Sequence, residues 1–137
     1  IWDPYQAAAE KQLQARTLRD GQGLVDNHQF YLATRDYATQ HPAVINTLIE
    51  EVRAVGQWSQ ANPQEVTDQV APLLGLPADI TLTSVKRQGY GAAPLTPEVV
   101  VAQQKIADTF QALKLIPKPL SIKDVIWTPP AKVATAP

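Results

Sequence analysis

Apolar residues recur at helical spacing along two long segments of the chain. After Pro42, six apolar side chains fall on one stripe: Val44, Ile45, Leu48, Ile49, Val52 and Val55. Spacings of three and four residues predict an amphipathic helix that faces a core. A second stripe follows Pro97 and consists of Val99, Val100, Ile106, Phe110 and Leu113. The pattern therefore predicts that residues 42–113 are mainly helical.

Polar residues followed by proline mark the starts of several helices. Asp3 precedes Pro4, and the pair predicts an N-cap and a first helical residue for a helix that runs to Leu13. The same combination occurs at Asn62-Pro63 and at Thr96-Pro97. Gly75 is a predicted stop for the helix after Pro63. A short helix is favoured from Pro77, although residues 80–83 also suit a strand. One short turn is predicted at residues 121–126.

Two short segments have the character of buried strands. Residues 29–35 ("QFYLATR") form a brief apolar and aromatic run that turn residues bound, and Ile1-Trp2 resembles the end of another strand. Two such strands do not make a sheet, so we expect the rest of the sheet to lie upstream. Residues 128–137 have almost nothing to bury, which predicts a disordered tail.

Composition excludes several classes of function. The formal net charge is −1 and no basic run occurs, so no electrostatic footprint for nucleic acid is present. Cysteine is absent, which excludes disulfides and thiolate metal sites. His28 and His41 have no second histidine at metal-ligand spacing, and neither belongs to a Ser-His-Asp set. We therefore predict no catalytic residues, no metal and no cofactor.

Six motifs occur in an order that is typical of a known family. The chain resembles the C-terminal part of periplasmic substrate-binding proteins of the aliphatic sulfonate, nitrate and taurine transporter group, and the alkanesulfonate-binding type most closely. The motifs are "IWDPY" at 1–5, "LRDGQGL" at 18–24, "FYLATRDYATQHP" at 30–42, "LLGLP" at 73–77, "LTPEVVVAQQKIADTF" at 95–110 and "LIPKPLSIKDVIW" at 115–127.

The resemblance implies an α/β protein with the two-lobed periplasmic-binding-protein-like (type II) fold and a ligand between the lobes. The chain itself would be a mostly helical C-terminal fragment with two or three short strands. Residues 1–23 would end the second lobe, and residues 24–127 would contain the return crossing and the C-terminal part of the first lobe. Because the sequence begins at Ile1 and lacks methionine, we expect a longer protein.

The implied function is that of an extracytoplasmic solute-binding protein of an ABC uptake transporter, either periplasmic or anchored as a lipoprotein. It would bind a small anion, an alkanesulfonate, and deliver it to the membrane permease without catalysis. The fragment would pair with another copy or with the missing N-terminal half. Alternatives are a nitrate- or taurine-specific binding protein, and a same-fold enzyme of thiamine-pyrimidine or sulfur metabolism. A stand-alone helical interaction module is disfavoured by the isolated strands.

Four residues are candidates for ligand contacts. Trp2 and Tyr5 flank a predicted helix start, where an aromatic wall and backbone N–H groups could receive an alkyl chain and an anion. Arg87 lies in a predicted loop that contains Gly89 and Gly91 and precedes the long C-terminal helix, and its guanidinium matches a planar oxyanion head. Tyr90 lies in the same loop. Asp3 is interpreted as a cap, because a carboxylate repels a sulfonate.

Overall fold

A computed structural model of the chain describes residues 1–128, and these residues are mostly helical. The elements are α1 (Tyr5–Gln12), α2 (Arg35–Gln40), α3 (Pro42–Ala61), α4 (Pro63–Leu74), α5 (Ala78–Arg87), α6 (Pro97–Ala112) and a 3₁₀ turn (Ile122–Val125). The prediction of helix over residues 42–113 is confirmed. The helix alternative after Pro77 is the correct one, and the turn predicted at 121–126 is present.

The strands predicted at Ile1-Trp2 and at residues 29–35 are wrong for this structure. No strand forms within residues 1–128, and residues 24–36 are exposed. A strand exists through its ladder of hydrogen bonds, and no described backbone segment pairs with these residues. The segment instead leads into α2, where the Oγ1 of Thr34 accepts a hydrogen bond from the Tyr37 N–H at 3.3 Å. This side-chain cap sets the start of a helix at Arg35.

The helix ends follow from local chemistry. Thr96 caps α6 by accepting from the Val99 N–H at 3.4 Å, as the Thr-Pro pair predicts. Gly75 ends α4 in the left-handed region with φ 64°, a conformation that costs glycine little. At α1 the carboxylate of Asp3 accepts from the Ala7 N–H at 3.0 Å. The helix begins at Tyr5, and Pro4 occupies the N-cap position predicted for Asp3. The Asp3 side chain bonds to the first turn from one residue further upstream.

The described chain divides into two compact units. Unit 1 comprises Ile1–Asp20 and Ile49–Ala92. Its core is built where α5 packs on α1 and α4, and Ile80 is 2% exposed there. Two buried threonines are satisfied by their own helices, since Thr67 donates to the Pro63 carbonyl at 2.8 Å and Thr81 to the Pro77 carbonyl at 3.1 Å. Such bonds let polar residues lie in a core without an unpaired hydroxyl.

Within the described residues, unit 2 comprises Gly21–Leu48 and residues 93–128. The side chain of Gln104 on α6 joins the helix to the 3₁₀ turn, because it donates to the Leu120 carbonyl at 2.8 Å and accepts from the Ile122 N–H at 2.9 Å. Arg35 at the start of α2 donates to the carbonyl of Asp124. The predicted tail lies outside the described residues, apart from Thr128.

The apolar stripes are less buried than their spacing predicts. Val44, Leu48 and Val55 on α3 are 49–58% exposed, and Ile106 and Phe110 on α6 are each 46% exposed. Other members of the stripes are half-buried, namely Ile45, Ile49, Val52, Val99 and Val100, so the predicted faces are covered only in part within residues 1–128. Amphipathic spacing predicts an apolar face but not what covers it.

Candidate functional site

Arg87 is the last residue of α5 rather than part of the predicted loop, and its side chain contacts two carboxylates of the α1 region. Its Nη2 lies 2.6 Å from Oε2 of Glu10, and its Nη1 lies 3.5 Å from Oδ1 of Asp3. The side chains remain partly accessible, with 40% of Arg87, 28% of Glu10 and 20% of Asp3 exposed. We call these three residues the Arg87 cluster.

Both carboxylates are held by further hydrogen bonds. Asp3 receives the Ala7 N–H at the start of α1 through the same oxygen that faces Arg87. Glu10 faces Arg87 with Oε2, whereas its Oε1 accepts from Gln6 at 3.1 Å and from Thr17 at 3.4 Å. The short side chain of Asp3 is thereby fixed to the backbone, while Glu10 has two sets of partners on its two oxygens.

The charges in the cluster stabilise one another. The hydrogen bond from Arg87 lowers the pKa of Glu10 below its ordinary value, and hydrogen bonding to Gln6 adds to the shift. The same contact with Glu10 raises the pKa of Arg87. Both shifts favour the charged forms of Glu10 and Arg87, so this pair is ionised at neutral pH.

A second ion pair joins the same two helices. Lys11 of α1 lies 2.9 Å from Asp79 in the first turn of α5, and the side chains are 67% and 54% exposed. The hydrogen bond with Lys11 lowers the pKa of Asp79. Exposed pairs of this type contribute little to stability. We therefore infer that burial of Ile80 and its neighbours supplies most of the free energy that holds α1 against α5.

Trp2 and Tyr5 form an aromatic pair on either side of Asp3. Their ring centroids are 6.4 Å apart with an interplanar angle of 76°, an edge-to-face arrangement. The two residues are 74% and 59% exposed. Aromatic rings in this geometry attract each other, and their exposed faces offer apolar surface to a ligand.

Tyr90 lies in a short loop that α3 supports. Its hydroxyl donates to the Val85 carbonyl at 3.0 Å, and burial raises its pKa. Arg53 of α3 donates from Nε to the Ala92 carbonyl at 3.0 Å. A Cβ placed on Gly56 would lie 3.0 Å from the Gly91 backbone nitrogen. The absence of a side chain at Gly56 thus allows the loop to pass close to the helix.

The structure brings some of the predicted site residues together. Arg87 lies 3.5 Å from Asp3, the residue that follows Trp2, and Trp2 packs against Tyr5. Tyr90 directs its hydroxyl back to α5 instead. Sequence analysis missed Glu10, the strongest partner of Arg87. Seventy-seven positions separate the two residues, and no local pattern links them.

Two shallow grooves lie along α6, and neither is lined by a residue of the Arg87 cluster. One groove of about 270 Å³ lies between α6 and the 3₁₀ turn and contains Gln104, Lys105 and Asp108. None of the four predicted contact residues lines it. Within residues 1–128, no three His, Cys, Asp or Glu side chains are grouped as a metal site would require. No helix in this range combines the length and apolar character needed to cross a bilayer.

Comparison with known proteins gives relatives of one kind. No family model matches the chain. An aliphatic sulfonates-binding protein of Escherichia coli (strain K12) is 33% identical over 130 residues, which are 94% of this chain and 41% of that protein. The crystal structure of the periplasmic aliphatic sulphonate binding protein SsuA from Escherichia coli aligns with a TM-score of 0.82 and 32% identity. This alignment covers 95% of this chain and 42% of the SsuA chain.

A third relative is the alkanesulfonate-binding protein SsuA from Xanthomonas axonopodis pv. citri, solved with bound MOPS. The alignment has a TM-score of 0.82 at 28% identity, and it covers 93% of this chain and 44% of the Xanthomonas chain. The resemblance to the sulfonate-binding family is confirmed. The chain spans about two fifths of the length of these relatives. The chain therefore resembles in structure a corresponding part of periplasmic sulfonate-binding proteins, and its own described residues are mostly helical.

Proposed function

We propose that this chain is the C-terminal part of an extracytoplasmic solute-binding protein that captures a small sulfonate anion for an ABC uptake transporter. The observation that carries the proposal is the agreement of two comparisons. A sulfonate-binding relative is 33% identical over 94% of the chain, and sulfonate-binding structures align over nearly the same range with a TM-score of 0.82.

The whole protein, in this proposal, has two lobes with the ligand between them. Residues 1–23 end the second lobe, and residues 24–127 contain the return crossing and complete the first lobe. The packing of α1 on α5 within unit 1 is then a contact between the lobes. The apolar stripes of α3 and α6 are half-exposed. Soluble proteins rarely leave such faces exposed, which supports the proposal that further polypeptide of the whole protein covers them. The short coverage of the relatives supports the same interpretation.

The ligand contacts that we propose are Trp2, Tyr5, Arg87 and Tyr90. A guanidinium carries five N–H donors in a plane, and the two carboxylate contacts of Arg87 leave several of them for a sulfonate. The exposed faces of Trp2 and Tyr5 supply apolar surface for an alkyl chain. Tyr90 extends the site from the loop that follows α5.

Binding without chemistry is the reading that the comparisons favour. The relatives are named for binding and not for a reaction. A binding protein requires only that ligand stabilise one arrangement of the lobes over another. Location outside the cytoplasm and delivery to a membrane permease belong to the same proposal, and the periplasmic relative from Escherichia coli supports the location.

A thermal-shift screen of the whole protein tests this function. The ligands are alkanesulfonates, taurine, nitrate and a hydroxymethylpyrimidine, each at a series of concentrations. We expect alkanesulfonates to raise the midpoint of unfolding in proportion to the logarithm of their concentration, since ligand binds the native state. A shift with the pyrimidine or with nitrate and none with any sulfonate would assign the protein to one of the alternative functions.

A further inference from the structure

The Arg87 cluster has a carboxylate in the place where an anionic ligand would bind. Glu10 contacts Nη2 of Arg87 at 2.6 Å, whereas Asp3 lies 3.5 Å from Nη1. A sulfonate and a carboxylate are both oxyanions, and both prefer the same planar edge of a guanidinium. The Nη2 group of Arg87, which makes the shortest of these contacts, is therefore already bonded to a carboxylate of the protein itself.

We propose that Glu10 is an internal counter-ion that a sulfonate displaces from Arg87, so that Glu10 sets the affinity of the site for anions. The inference rests on the proposed function, because it requires that Arg87 contact the ligand. It adds a residue that determines anion affinity through competition and that the ligand itself does not need to contact.

Of the two carboxylates, Glu10 is the one able to leave. Asp3 is tied to the start of α1 by the Ala7 N–H at 3.0 Å and is 20% exposed. Glu10 has a longer side chain and is 28% exposed. Its Oε1 already accepts from Gln6 and Thr17. When Oε2 releases Arg87, the carboxylate keeps these partners and gains water, so no unpaired charge is left behind.

The charge balance supports competition over cooperation. Two carboxylates, those of Asp3 and Glu10, already lie beside a single guanidinium, and a sulfonate would add a third acidic group. Like charges at such distances repel one another. Movement of Glu10 away from Arg87 relieves this repulsion, and it exposes donors on Nη2 that the sulfonate can use.

The direct test is calorimetric titration of hexanesulfonate into the whole protein and its Glu10→Gln variant. Glutamine is isosteric and can still bond to Thr17 or Gln6, but it carries no charge. We expect the variant to bind hexanesulfonate about two- to fivefold more tightly, the range that an exposed ion pair is worth. Glu10→Ala should change affinity in the same direction, and it serves if the glutamine variant does not fold.

Asp79→Asn is the matched control. It removes one carboxylate from the other ion pair between α1 and α5, with the same change of charge and with no contact to Arg87. Its affinity for hexanesulfonate should equal that of the unmodified protein. An equal gain in Asp79→Asn and Glu10→Gln would overturn the proposal, because the effect would then be one of net charge.

A double variant separates action through Arg87 from other effects. In an Arg87→Ala background, Glu10→Gln should no longer raise affinity. Unchanged or weaker binding in the single Glu10→Gln variant overturns the counter-ion proposal while the sulfonate function stands. No binding of hexanesulfonate by the unmodified protein overturns both.

Discussion

The Nη2 atom of Arg87 lies 2.6 Å from Oε2 of Glu10, so the end of α5 is joined to α1 across 77 positions of sequence. A second contact, 3.5 Å from Nη1 of Arg87 to Oδ1 of Asp3, joins the same guanidinium to the residue between Trp2 and Pro4. The two contacts give this arginine two carboxylate partners, which makes its charge environment the central feature of the proposed site.

The Arg87–Glu10 pair predicts a specific dependence of stability on pH. Because the pKa of Glu10 is lowered from 4.5 in the folded chain, the pair stabilises the protein at pH values above 4.5. The contribution is lost as pH falls through the lower folded-state pKa. Urea unfolding at pH 7 should show the unmodified protein to be more stable than Glu10→Gln, and the difference should shrink at pH 3.

An Arg87→Ala background provides the control for this pH series. Without the guanidinium, the cost of Glu10→Gln should change less between pH 7 and pH 3, because only the hydrogen bonds of Gln6 and Thr17 then lower the pKa of Glu10. If the unfolding free energies of the unmodified protein and of Glu10→Gln differ by the same amount at pH 7 and at pH 3, Glu10 is not held by Arg87 in solution.

The contact between α3 and the loop of Tyr90 predicts a steric effect at Gly56. A Cβ there would lie 3.0 Å from the Gly91 nitrogen, so Gly56→Ala should push the loop away. We expect a loss of about 1–3 kcal/mol in unfolding free energy, as for other overpacked sites. Denaturant unfolding of the whole protein measures it.

Gly89→Ala is the control for this substitution. A Cβ at Gly89 meets no atom within 4 Å, and the variant should be nearly as stable as the unmodified protein. If Gly56→Ala is the more stable of the two, the helix-favouring effect of alanine exceeds the clash, and the loop does not lie against α3 as the structure has it.

The helices could largely be predicted from the sequence, because their signals are local. Apolar spacing marks α3 and α6, and Thr96 and Gly75 act within a few residues of the ends that they set. The strand at 29–35 could not be judged in this way. Its apolar run is typical of a strand, but a strand needs a partner, and the cap at Thr34 favours a helix after it.

The site was less predictable than the helices. The order of motifs predicted the resemblance to sulfonate-binding proteins that the comparisons confirm, and Trp2 and Arg87 were chosen for the chemistry of their side chains. The ion pair with Glu10 and the hydrogen bond of Tyr90 to Val85 depend on how α1, α5 and the loop pack. Contacts between distant positions follow from tertiary structure and leave no periodic trace in one sequence.

The exposed indole of Trp2 predicts a dependence on the length of the ligand. Trp2→Ala should weaken octanesulfonate binding about tenfold more than it weakens ethanesulfonate binding, because only the longer chain buries much apolar surface against the ring. Calorimetric titrations with both ligands measure the two ratios. Leu13→Ala, at a position 76% exposed after α1, should leave both affinities unchanged. Equal losses for the two ligands in Trp2→Ala would remove Trp2 from the alkyl-binding surface.

Calorimetric titration of the whole protein with octanesulfonate, with nitrate as the matched inorganic anion, tests the central claim most directly. The account predicts saturable binding of one octanesulfonate per protein and much weaker binding of nitrate, since nitrate lacks the alkyl chain that the aromatic pair receives. Tight binding of nitrate with no heat from octanesulfonate would contradict the assignment of this chain to a sulfonate-binding protein.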